Sequence, residues 1–109
     1  MILNNVEVYN CSQIDTYKAA IRFENAVKLS SSVTNSTFHN GLGWGGNIKN
    51  SANIFMQDNL WFNFRPIGIG IDFSNNITFD NNVVAHVVER TTLDAASSFV
   101  DASSGLTVC

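Results

Sequence analysis

Short runs of alternating apolar and polar residues, punctuated by single or paired asparagines, make up most of this chain. Ile77-Thr78-Phe79 lies between Asn75-Asn76 and Asn81-Asn82, after which Val83-Val84 restarts the pattern. Period-two alternation over a few residues is the signature of a strand with one buried face. Related runs occur at Val6-Glu7-Val8, Val33-Thr34-Asn35 and Ile54-Phe55-Met56. Aligning Val8, Val33, Met56 and Phe79 gives intervals of 25, 23 and 23 residues. A second column, Phe23, Ile48 and Ile71, repeats at 25 and 23. Two columns sharing one period define a structural repeat, and place the two additional residues of the first interval between Phe23 and Val33.

A repeat of this length has no room for a crossover helix, so each copy predicts one coil of two or three short strands. The predicted fold is all-β: a parallel β-helix, or solenoid, of about four rungs of 23–25 residues spanning residues 1–93. Its rungs would stack about 4.8 Å apart. The predicted core stack is Val8, Val33, Met56 and Phe79. Beside it run Val6, Ser31, Ile54 and Ile77, with Ser31 as a weak layer, and Gln13, Phe38, Trp61 and Val84. Asn10, Asn35, Asp58 and Asn81 form the expected turn ladder, since stacked asparagines bond along the axis and tolerate a left-handed backbone. Glu24, Lys49 and Asp72 fall outward on a solvated face. After Arg90 the period fails, because the expected inward positions become Thr92, Asp94 and Ala102. Residues 94–109 therefore read as an atypical tail, a cap or an excursion, with Asp94 suited to cap a short helix. The first repeat begins within a few residues of Met1, which is expected of a piece of a longer helix.

Composition narrows the function. Fifteen asparagines and 18 serines plus threonines against one proline suit many short strands joined by polar turns. Six basic residues and a net charge of −3 argue against a nucleic-acid partner. No apolar run approaches the roughly 18 residues of a membrane span, so membrane attachment would come only through other parts of a longer chain. Met1-Ile2-Leu3-Asn4-Asn5 lacks the basic and long apolar regions of a signal peptide. Two cysteines, Cys11 and Cys109, leave open whether they pair.

Candidate chemistry is sparse. Gly41-Leu42-Gly43-Trp44-Gly45-Gly46 lacks the Lys-Ser/Thr of a phosphate-binding loop and reads as a tight coil corner. Asp58 and Asp80 lie on neighbouring rungs but in different columns, with only Arg65 and Arg90 as candidate basic partners. His39 and His86 have no ligands at metal spacing. No catalytic residue, metal site or cofactor is expected, and the protein reads as non-enzymatic. Asn10-Cys11-Ser12, Asn35-Ser36-Thr37 and Asn76-Ile77-Thr78 are acceptor motifs for N-glycosylation. Asn10 and Asn35 occupy equivalent turns in this alignment, so glycans there would cover one edge. A ladder asparagine buried in its stack could not carry one. Of Trp44, Trp61, Phe62 and Phe64, most are expected in the core, and an exposed Phe62 or Trp44 could stack on a sugar ring or a protein partner.

Four phrases occur in a telling order: Asn5-Val6-Glu7-Val8-Tyr9, Ala20-Ile21-Arg22-Phe23, Val33-Thr34-Asn35-Ser36-Thr37-Phe38 and Asn82-Val83-Val84-Ala85-His86-Val87. Together they resemble the right-handed parallel β-helix of fibrocystin and fibrocystin-L, over roughly residues 3–92. The same region is similar to that of the related cell-surface and secreted hyaluronidases. The resemblance implies a large extracellular or membrane-anchored protein, often of ciliated or epithelial surfaces, in which this segment is a scaffold in adhesion, a surface coat or a filament. Its partners would be neighbouring rungs, other extracellular chains or glycans. No catalytic motif of the hyaluronidase branch is carried over, because none matches here. The rival readings are a hyaluronan- or pectin-directed carbohydrate-active β-helix or glycan-binding module, and a leucine-rich repeat. The last fits Leu3-x-x-Val6-x-Val8-x-x-Cys11 but not Lys28, Ser51 and Ser74 at its later leading positions.

Overall fold

The computed structural model of the chain describes residues 1–13, 18–65, 67–87, 96–101 and 104–108, the last two segments through their backbone pairing. The first coil carries β1 (Ile2–Asn4), β2 (Glu7–Tyr9) and β3 (Ile21–Glu24). The second carries β4 (Ser31–Thr34), β5 (Thr37–His39) and β6 (Gly46–Lys49), and the third β7 (Ala52–Gln57), β8 (Leu60–Phe64) and β9 (Ile67–Asp72). Then follow β10 (Asn75–Asp80), β11 (Val83–Val87) and β12 (Ala96–Asp101), and finally β13 (Ser104–Val108). Each strand from β1 to β10 pairs in parallel with the strand three places further on, which gives three sheets ordered β1-β4-β7-β10-β13, β2-β5-β8-β11 and β3-β6-β9-β12. The described residues are thus all-β and contain no helix.

Alternation decides which side of each strand faces inward. Leu3, Val33, Met56 and Phe79 stack in the first sheet, beside Ser31, Ile54 and Ile77. Val8, Phe38, Trp61 and Val84 stack in the second. The third contributes Phe23, Ile48 and Ile71, with Ile21, Gly46 and Ile69 alongside. Val33, Phe38, Ile48, Met56, Trp61 and Phe64 are fully excluded from solvent. The rings of Phe38 and Trp61 lie stacked at 4.1 Å. Burying each such side chain contributes about 1.5–3 kcal/mol relative to leaving it in water. Ser31 is buried in this apolar row, where its Oγ accepts a hydrogen bond from the Met1 amino group at 3.1 Å.

The first coil departs from the expected alignment. Leu3, not Val8, lies opposite Val33, and Val8 lies opposite Phe38, so the first interval is 30 residues. Val6 and Gln13 likewise leave the columns in which periodicity puts them. Five residues beyond the basic 23 lie between β2 and β3, and two lie between β3 and β4, within residues 25–30. Asn10 misleads because, like Asn35, it follows a short alternating strand with a left-handed backbone, yet it turns a different corner. The other end departs too. Val100 lies opposite Ile71 and Leu106 opposite Ile77, an interval of 29. Pairing therefore resumes six residues late within the segment read as an atypical tail. The cap expected at Asp94, the positions of Thr92 and Ala102, and Arg90 and Cys109 lie outside the described residues.

Candidate functional site

Sharp corners require residues that accept a left-handed backbone, and asparagine tolerates it best after glycine. Ten asparagines, with Asp58, Phe73 and His86, have positive φ between 49° and 65°. They fall into four columns one coil apart. Asn5, Asn35, Asp58 and Asn81 turn the chain from the first sheet to the second. Asn10, Asn40, Asn63 and His86 follow the second sheet. Asn25, Asn50 and Phe73 follow the third, and Asn53 and Asn76 open β7 and β10. The expected ladder thus holds Asn5 in place of Asn10.

The side chains bond along these columns in one direction. Nδ2 of the later residue donates to Oδ1 of the earlier one: Asn50 to Asn25 at 2.7 Å, Asn63 to Asn40 at 2.7 Å and Asn76 to Asn53 at 2.6 Å. Asn81 donates to Asp58, whose carboxylate can only accept, and this fixes the direction chemically. Asn35 reaches Asn4 Oδ1 at 3.2 Å, which also accepts from Thr34 Oγ1. The main chain runs the other way, with the amides of Asn25, Asn35, Asn40, Asn50 and Asp58 donating to carbonyls of the next coil.

Behind two corners lie buried polar columns that the sequence did not announce. Asn59 is 2% exposed, its Oδ1 accepts from Ser36 N at 3.0 Å, and its Nδ2 donates to Val33 O at 2.8 Å. Asn82 repeats this one coil later, accepting from Asn59 N and donating to Met56 O. Ser51 and Ser74 do the same with hydroxyls, accepting from Ala26 N and Ser51 N. These side chains satisfy amides left unpaired where the chain passes between sheets.

The acceptor asparagines Asn10, Asn35 and Asn76 are all exposed. Their stacking therefore does not bury them, and ladder and glycan do not compete: an asparagine joined to a sugar keeps one N–H to donate. Asn10 and Asn35 turn different corners, so glycans on both would cover two edges rather than one. Cys11 is exposed and free, with Sγ donating to Tyr9 O at 2.9 Å.

The residues singled out for chemistry are dispersed. Asp58 accepts from Asn81, and Asp80 Oδ2 accepts from Gln57 Nε2 at 3.1 Å. His39 packs between Tyr9 and Phe62 in a parallel stack, with centroids 5.4 and 4.8 Å away, and its Nε2 lies 2.7 Å from Glu7. Arg22 pairs with Glu24 at 3.1 Å. No group of three metal-ligating side chains occurs among the described residues. No helix there is long and apolar enough to cross a membrane. The glycine run closes a corner: a Cβ on Gly41 would sit 2.0 Å from Ser12 Oγ and 2.6 Å from the Phe64 ring. Trp61 and Phe64 are core, Phe62 is half-buried in the stack, and the half-buried Trp44 lies against Gly70.

Concave surfaces occur on the outside of the coils among the described residues, one of them along the corner of Asn35, Asp58 and Asn81. A groove of about 360 Å³ runs over the outer face of β4, β7 and β10. Ser32, Phe55 and Thr78 are adjacent across the strands and form its floor. Asn53 and Asn76 form one wall, and Phe55 is 38% exposed. Sequence reading passed over Phe55, which alternation marks as outward beside two buried neighbours. Comparison of the chain with protein-family models, with curated proteins and with solved structures returned no match.

Proposed function

We propose that the chain is a segment of a right-handed parallel β-helix, serving as a non-enzymatic structural or adhesion scaffold at an extracellular surface in a protein similar to fibrocystin. The observation that carries this reading is parallel hydrogen bonding along one axis through three sheets, joined at the corners by main-chain amides and by paired side-chain amides. Such a body is stiff, extends by repetition and offers long outer faces to other chains. The right hand follows from the preference of parallel crossovers, because a right-twisted strand returns to its own sheet best that way. Asp58 and Asp80, the acids a hydrolase would need, are instead bonded to amides of neighbouring coils. The exposed Asn10, Asn35 and Asn76 suit passage through the secretory pathway.

Glycopeptide mass spectrometry of native protein is expected to find sugar on at least one of these three asparagines. Bare side chains at all three would withdraw their support for an extracellular home. Incubation with hyaluronan and with polygalacturonate is expected to leave both polymers intact. Depolymerisation that disappears in Asp58→Asn or Asp80→Asn would overturn the non-enzymatic reading. A second reading, a glycan-binding module, is favoured by the groove over β4, β7 and β10.

A further inference from the structure

We infer that this groove binds an uncharged oligosaccharide lying along the stacking axis, an inference that rests on the glycan-binding reading. Its lining is chemically uniform in one respect: no residue of it has an ionisable side chain. The Met1 amino group, a positive charge at its margin, is bonded to Ser31 Oγ. What lines it instead is a mixture of donors and acceptors. Ser30, Ser32 and Thr78 supply hydroxyls, and Asn53 and Asn76 supply amides whose orientation is fixed by their mutual 2.6 Å bond. Hydroxyl groups of a sugar are donors and acceptors at once, and paired amides and hydroxyls match both capacities.

Phe55 supplies the apolar part at the centre, and Ile2, 79% exposed and opposite Ser32, supplies a second at one end. The Phe55 ring is 38% exposed at the middle of the floor, between the smaller Ser32 and Thr78, so a saccharide's C–H face can lie on it without displacing a neighbour. The volume, about 360 Å³, is at the lower end of the range for small-ligand sites, enough for a short oligomer. The floor repeats once per coil, about 4.8 Å apart, close to the length of one pyranose unit. One sugar per rung then meets Ser32, Phe55 and Thr78 in turn. A polyanion has no cationic side chain to meet within the lining, only the Met1 amino group at its margin, and faces a chain of net charge −3.

The test uses the full chain made without glycosylation, so that Asn76 is bare. Tetramers of β-1,4-linked glucose and of N-acetylglucosamine serve as uncharged probes, and a galacturonate tetramer as the anionic one. Binding is followed by amide chemical-shift titration. The expected result is saturable binding of at least one uncharged tetramer, with shifts centred on Ser32, Phe55 and Thr78. Phe55→Ala is expected to weaken it about tenfold, a loss of about 1.4 kcal/mol. Thr78→Val, which keeps the side chain's shape, is expected to weaken it less. Both side chains face outward, and unchanged thermal melting will show that the variants fold. Uncharged binding centred elsewhere would overturn this site and leave the glycan-binding reading standing. Equal or tighter binding of galacturonate in the groove would overturn the ligand class alone. Absence of binding by all three tetramers would overturn both.

Discussion

Asp58 is the one acid in a set of corner columns built from asparagine, and its position is chemically asymmetric. It accepts from Asn81 above it but has no hydrogen to donate to Asn35 below. Restoring the amide in Asp58→Asn adds a donor facing Asn35 without changing the left-handed backbone. We expect a stabilisation of about 0.5 kcal/mol, within the range for one exposed hydrogen bond, measured by urea denaturation. Asn81→Asp removes the donor and faces two carboxylates one coil apart, and should cost about 1 kcal/mol or more. The equivalent pair in the next column makes the control: Asn25→Asp keeps its acceptor, whereas Asn50→Asp loses its donor. If the two cost the same, the one-way bonding is not what holds the corners.

Between corner and strand, the buried amide of Asn59 replaces hydrogen bonds that no neighbouring strand supplies. Asn59→Ala would leave Ser36 N and Val33 O without these partners in a water-free interior. The expected cost is about 2–4 kcal/mol, at roughly 1–3 kcal/mol per abandoned group. Asn63→Ala, on an exposed ladder, should cost under about 1 kcal/mol beyond its backbone strain. Thermal melts of the two variants would compare them directly. These columns also show where sequence reading succeeded and failed. The 23-residue interval was legible because Val33, Met56 and Phe79, and Phe23, Ile48 and Ile71, pack on one another and must share a phase. The first coil was not, because all its corners use the same residue type. Asn10 and Asn5 are indistinguishable until pairing shows which sheet follows, and the five-residue insertion slides one onto the other's place. Asn59 was hidden because a buried asparagine has the same letter as an exposed one. Phe55 was equally hidden, since alternation says that a ring points outward but not that the walls beside it make a groove.

For the molecule as a whole, the repeat makes length quantised. Removing residues 54–76 deletes 23 residues and joins Asn53 to Ile77, the partner of Ile54, so every later side chain keeps its face. This shorter chain is expected to melt cooperatively at a lower temperature, since a stacked array loses one interface at a time. Removing residues 54–75 deletes 22 and turns every inward residue after the junction outward until a corner absorbs the slip. Circular dichroism should then show no cooperative transition. Insertions follow the same rule: the extra residues of the first coil lie between strands, and the strands after them return to phase. The direction of the amide ladders, finally, makes the molecule age unevenly. Asparagine amides hydrolyse slowly to carboxylates, and a following glycine exposes Asn40 most to that reaction. Its oxygen is the atom that Asn63 uses, and an aspartate there would still accept. An aspartate at Asn63, Asn50 or Asn76 would also silence a donor, so the same event costs more on the upper member of each pair. Wear in such a rod would accumulate by position rather than by number of events.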